Sequence, residues 1–186
     1  MKNYFTLGVF IVLFMSNITY LQGQSTEELD ERHGFKDIKI GADFWDWNDK
    51  LEKGGSWPGG RPRYHYTGSR NYKVFDLGIE DISFEIVNFK IATIVISTEY
   101  FHEKNGTRPE LNIDEYKSLV SNFEFLFGEG EPHIEDRNSA KIAYFWFGDE
   151  IHLTVKFDYQ GANTGSRAVI ILTDAEYQKQ KLEDGF

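Results

Sequence analysis

The sequence predicts an α+β fold in which amphipathic helices cover an antiparallel sheet. Three observations predict it. Ile151, Leu153, Val155, Phe157 and Tyr159 alternate strictly with His152, Thr154, Lys156 and Asp158, the period of a strand with one wet face. Tyr116, Leu119, Val120, Phe123, Leu126 and Phe127 recur at the helical period, so one face of that helix is buried. The expected elements run strand, helix, three strands, helix, three strands, helix. A helix-plus-three-strand unit therefore occurs twice, as element order and not as repeated residues. An antiparallel sheet with one apolar face needs a cover, and an amphipathic helix supplies it. The expectation is one α+β domain over residues 35–186, built of tandem αβββ units with halves 35–99 and 112–186.

The chain opens with an address. Lys2 is followed by the apolar run 5–15, broken only by Thr6 and Gly8, then by polar Ser16, Asn17 and Thr19 and small Gly23. This is the layout of a secretory signal peptide over residues 1–23. The run is shorter than the roughly 20 apolar residues of a spanning helix. Residues 24–34 are polar and charged and read as a flexible mature N-terminus.

Phe35, Ile38 and Ile40 suggest a short strand ended by Gly41. Phe44, Trp47 and Leu51 fall at i, i+3 and i+7 and suggest a helix over residues 42–53, stopped by Gly54-Gly55. Residues 56–63, Ser-Trp-Pro-Gly-Gly-Arg-Pro-Arg, are the strongest loop signal, because Gly permits positive φ and Pro cannot donate to a ladder. Strands are expected at 72–77, at Ile82, Phe84 and Ile86, and, after a turn near Asn88, at 91–97. The last is apolar on both faces and hence central. Residues 99–111 form a polar connection with Asn105-Gly106 and Pro109. Asn112 and Glu115 fit a capping box at the start of the long helix, and Gly128 ends it. A hairpin turns at Gly148-Asp149, a last strand spans 168–172, and Thr173-Asp174-Ala175-Glu176 opens a short C-terminal helix.

Composition narrows the function. The chain has no cysteine, so neither a lipid on cysteine nor a disulfide framework is available. Lys2 is the only charged residue before position 24. The mature chain thus carries 19 basic and 30 acidic residues, a net charge of −11. Such a chain repels nucleic acid and anionic membrane. A cysteine-free mature chain of about 160 residues must rely on one core.

No pattern specifies catalysis. His33, His65, His102, His133 and His152 lack zinc-site spacing. His102-Glu103 and Glu150-x-His152 are the nearest approaches to ligand pairs. Asp43, Asp46 and Asp49 lack the alternation and central Gly of a calcium loop and read as a solvated helix face. No serine lies in Gly-x-Ser-x-Gly, and the string Thr-Gly-Ser-Arg at 67–70 and 164–167 reads as a turn used twice. No metal or cofactor is expected. The remaining signal is aromatic and basic: Trp57, Arg61, Arg63, Tyr64, Tyr66 and Tyr72 lie in or beside the Gly/Pro loop, and such residues suit binding surfaces. Trp45, Trp47 and Trp146 read as core. The expectation is an exported, periplasmic or secreted, non-enzymatic binding module for a protein, peptide or glycan. The alternative is a cell-envelope polymer hydrolase in which Glu80, Asp81 and Glu150 supply acid/base carboxylates.

The segment Gly34-Phe35-Lys36-Asp37-Ile38-Lys39-Ile40-Gly41, with Phe127-Gly128 and Trp146-Phe147-Gly148, resembles small exported proteins of Bacteroidetes-type bacteria to which no chemistry is assigned. The repeated helix-and-sheet order is also similar to β-lactamase inhibitory protein-like modules. That resemblance implies a curved sheet presenting aromatics to a partner.

Overall fold

The computed structural model describes residues 25–68, 72–99, 113–136, 141–159 and 165–183. The expected signal peptide, the 100–112 connection with His102-Glu103, and the Asn112 cap lie outside them. The elements are α1 (Thr26–Arg32), β1 (Gly34–Phe35), β2 (Ile38–Lys39), two 3-10 turns (Phe44–Asp46 and Asn48–Lys50), β3 (Leu51–Ser56), β4 (Pro62–Tyr66), β5 (Lys73–Val74), β6 (Leu77–Val87), β7 (Lys90–Thr98), α2 (Ile113–Phe127), β8 (Glu131–Asp136), β9 (Lys141–Phe147), β10 (Ile151–Tyr159), β11 (Ser166–Asp174) and α3 (Ala175–Glu183). The architecture is α+β, as expected, and the large sheet has nine strands.

The sheet order is β3-β4-β6-β7-β11-β10-β9-β8, with β5 paired to β6. Every pairing is antiparallel. Two meanders, β3 to β7 and β8 to β11, are joined by their last strands, with Val95 opposite Ile171. The duplication is thus one of four-stranded meanders. The sequence missed β8, which contains Pro132 and polar residues and carries little strand pattern of its own.

One face packs on α2. Tyr116, Leu119, Val120, Phe123 and Phe127 are buried there against Leu153, Val155, Phe157 and Trp146. Tyr116 donates to the Val155 carbonyl at 2.9 Å, and burial pushes its hydroxyl above the ordinary tyrosine range. Trp146 Nε1 donates to the Gly128 carbonyl at 2.9 Å, tying the helix C-terminus to the sheet. The other face is crossed by α3. Asp174 accepts from the Tyr177 amide at 2.8 Å and starts that helix. Because α3 leaves β11 and its Tyr177 bonds Glu85 on β6, it spans β7, which is buried on both sides.

Several expectations are corrected. No helix spans 42–53. Phe44, Trp47 and Leu51 are half-buried, but through two 3-10 turns and the start of β3. Asp43 accepts from the Trp45 amide at 2.9 Å, and Asp and Asn side chains compete in this way with α-helical bonding. Gly54 and Gly55 therefore sit within β3, where the register shifts between Lys53 and Ser56. Residues 35–40 form a hairpin, with Lys36 at φ 57, in place of one strand. Residues 72–77 likewise divide at a turn between β5 and β6. Trp45, expected in the core, is 61% exposed and stacked on Phe89.

The expected flexible start is instead α1. Leu29 is buried, and Asp30 accepts from the amides of Asp149 (2.8 Å), Glu150 (3.0 Å) and Ile151 (2.8 Å). A carboxylate here collects the amides of the β9–β10 turn, an arrangement local periodicity does not report. A Cβ at Gly148 would lie 2.3 Å from the Asp30 carboxylate, so a larger residue there would displace it. Charged hydrogen bonds are worth about 1.5–3 kcal/mol each when buried, and less at an exposed turn. Asp30→Ala is expected to cost about 2 kcal/mol, and Asp30→Asn less, in denaturant unfolding.

His152 sits on the outer face of β10. Its Nδ1 is buried without a hydrogen-bond partner among the described residues, and the ring meets Phe147 edge-on at 5.0 Å. Burial lowers its pKa, against the opposing pull of Asp30 and Asp174. The fold thus prefers the neutral ring. Its stabilisation is complete above the unfolded value of about 6.5 and is lost as pH falls through the lower folded value. Between about pH 8 and pH 5 the denaturant midpoint is expected to drop more for the wild type than for His152→Gln.

Candidate functional site

The polar face of the first meander carries a chain of charges. Strand alternation sends Arg63 and His65 of β4 to the same side as Asp81, Ser83 and Glu85 of β6, with Arg63 opposite Glu85 and His65 opposite Ser83. Arg63 Nη2 lies 3.2 Å from Asp81 Oδ2 and donates to Ser83 Oγ at 2.9 Å. His65 Nδ1 lies 2.8 Å from the other Asp81 oxygen, and His65 Nε2 is 3.1 Å from the Gly54 carbonyl. Both ring nitrogens face acceptors, which locks the imidazole plane. A Cβ at Gly54 would come within 2.4 Å of that ring, so glycine permits the approach.

Glu85, only 3% exposed, anchors the other end. It accepts from Arg61 Nη1 at 3.0 Å, from the Tyr177 hydroxyl at 2.6 Å and from Lys181 at 3.3 Å. Arg61 also reaches the Tyr177 hydroxyl. A buried carboxylate is tolerated because three donors from two distant segments converge on it. Trp57 completes the face. Its indole donates to the Phe84 carbonyl at 3.2 Å, and the Arg63 guanidinium lies 4.7 Å from its ring centre.

Beyond His65 the pairing of β4 with β6 ceases, and β6 carries a bulge between Ile79 and Asp81. The strands splay and leave a half-open cleft of about 320 Å³, lined by Glu52, Gly54, His65, Tyr66, Thr67, Tyr72 and the 79–82 stretch of β6. Bulges recur beside sites because they re-aim side chains. Tyr66 and Tyr72 stand 6.0 Å apart. The hydrogen bond from the Tyr66 side chain, then burial, then the Tyr66 and Asp37 charges push the Tyr72 hydroxyl up to about 12. Among the described residues no cluster of His, Asp and Glu could hold a metal ion.

The six residues singled out from sequence do not form one surface. Trp57, Arg61 and Arg63 lie on the polar face. Tyr66 and Tyr72 line the cleft and also pack against the core. Tyr64 points to the opposite face, 5.2 Å from Phe44. Of the carboxylates considered for hydrolysis, Glu80 pairs with Arg167 at 2.8 Å, Asp81 is held by Arg63 and His65, and Glu150 lies apart, 3.1 Å from His33. Sequence reading missed Glu85, His65 and Glu52. Strand alternation from Arg63 to His65 and from Asp81 to Glu85 was the available signal, but β4 was read as part of a loop.

No family model, curated protein or solved structure matches the chain. The site rests on its own geometry.

Glu85→Ala removes the shared acceptor of Arg61, Tyr177 and Lys181 and is expected to destabilise the fold by about 3 kcal/mol. Glu85→Gln, which keeps an acceptor, should cost less; thermal unfolding of the two variants checks the order.

Proposed function

We propose that the protein is an exported binding module that takes a glycan segment in the cleft between β4 and β6. The observation that carries this is the coincidence, at one splayed sheet opening, of two tyrosine rings with the acceptor groups of Glu52, Thr67, Glu80 and Asp81. Aromatic faces cover the apolar side of a sugar ring, and carboxylates and hydroxyls accept from its hydroxyls. The cleft volume is at the lower end of the roughly 300–1,000 Å³ of small-ligand sites, which fits one or two rings of a longer polymer. The carboxylates of Glu52, Glu80 and Asp81 in the lining speak against an anionic ligand in this cleft. Export rests on the charge and apolar pattern of the first 23 residues.

Hydrolysis of the same ligand is the second reading. It is favoured by one observation, that Glu80 and Asp81 both line the cleft, although each is engaged by a cation.

The test is retention of the purified protein on immobilised cell-envelope glycans. Tyr72→Ala and Glu52→Gln, both at accessible positions, should each weaken retention by roughly tenfold, about the worth of one stacking or one charged hydrogen-bond contact. Undiminished retention by both folded variants, or no retained glycan, counts against the cleft. Release of new reducing ends by the wild type and not by Glu80→Gln would replace binding with hydrolysis.

A further inference from the structure

A second, half-open cavity lies between α2 and the sheet. It holds about 260 Å³ between α1, the β1–β2 hairpin, α2 and the sheet, and Val74, Ile96, Phe123, Leu153 and Leu172 form its walls. These side chains are buried, so its interior offers no polar partner from them. Apolar walls of this kind favour apolar guests. Its mouth is different. Arg32, Lys36 and Lys73 also line it, and all three are exposed.

Two lysines mark this mouth. The described arginines are neutralised, whereas most described lysines are not. Arg61, Arg63, Arg167 and Lys181 all pair with carboxylates, and Arg32 at this mouth pairs with Glu28 at 2.5 Å. Lys36 makes a contact with the Phe35 ring at 5.7 Å. Among the described residues, neither Lys36 nor Lys73 has a carboxylate within ion-pair distance. A half-open apolar groove with two lysines at its mouth is complementary to an apolar tail with an anionic head.

We propose that this cavity binds a single medium-chain fatty acid, its alkyl chain between α2 and the sheet and its carboxylate between Lys36 and Lys73. Its volume of about 260 Å³ exceeds the roughly 150 Å³ of an apolar cavity that takes benzene. The site is independent of the glycan reading. Burial of each methylene favours the complex, and the two lysines select the head group.

Calorimetric titration of the purified protein with decanoate, decanol and decyltrimethylammonium tests it. Decanoate is expected to bind saturably, one per chain, and more tightly than the other two. The double variant Lys36→Glu/Lys73→Glu alters only exposed side chains, so circular dichroism should be unchanged. Its affinity for decanoate should fall roughly tenfold, the worth of two exposed ion pairs, with decanol unaffected. The proposal is overturned if decanoate shows no saturable binding below its micelle concentration. It is also overturned if decyltrimethylammonium binds equally well, if the double variant binds decanoate as the wild type does, or if anionic phospholipid vesicles are bound while free decanoate is not.

Discussion

The antiparallel pairing of β7 with β11 is the constraint from which the rest of the structure follows. It turns two meanders into one sheet. It also places the most apolar strand, β7, in the middle, where both faces must be shielded from water. One shield is α2, whose aromatic face meets Trp146 and Phe157. The other is α3, whose first turn carries Tyr177 across β7 to Glu85. Removing water from both sides of β7 thus brings a C-terminal helix into contact with β6, 92 residues earlier in the chain.

That contact shapes the polar face. Glu85 lies inside because α3 covers it, and its negative charge is met by Arg61 from the β3–β4 loop and Lys181 from α3. Buried ion networks of this kind contribute little net stability over apolar packing, but breaking one is costly. Their effect is to hold one arrangement. Here they hold β4 against β6 over three residues, after which the strands part and the cleft opens. The rigid end of the network and the open end of the sheet are therefore consequences of one arrangement. The cleft's His65–Asp81 pair is its last link.

The two cavities differ in character. The cleft is lined by acceptors and two tyrosines where ladder bonds are interrupted. The chamber under α2 is lined by aliphatic and phenyl groups where the helix and the α1 segment do not fill the space above Ile96 and Leu153. Neither could be drawn from one segment of sequence, since each takes its walls from at least three.

Much of the fold was legible where a periodic pattern was long and its environment uniform. The α2 face, the strict alternation of β10, the two-sided burial of β7 and the glycine at 128 each reflect one dominant force acting on successive residues. Reading failed where short segments answered to distant ones. Residues 44–51 show helical spacing, yet Asp43 and the pairing of β3 with β4 take them elsewhere. Residues 26–32 fall in a stretch that reads as a flexible mature N-terminus, yet Asp30 is claimed by a turn some 120 residues on. The site was legible in composition only. Trp57, Arg61 and Arg63 stood out as a group, but strand alternation separates Tyr64 from them, and Glu85 gave no local sign of being buried. The sequence by itself determined the α+β class, the covering helix and the absence of cysteine chemistry, because these depend on period and composition. Tertiary structure alone decided which strands close the sheet, which charges are buried and where it opens, because those depend on which distant partners exclude water from the same surface.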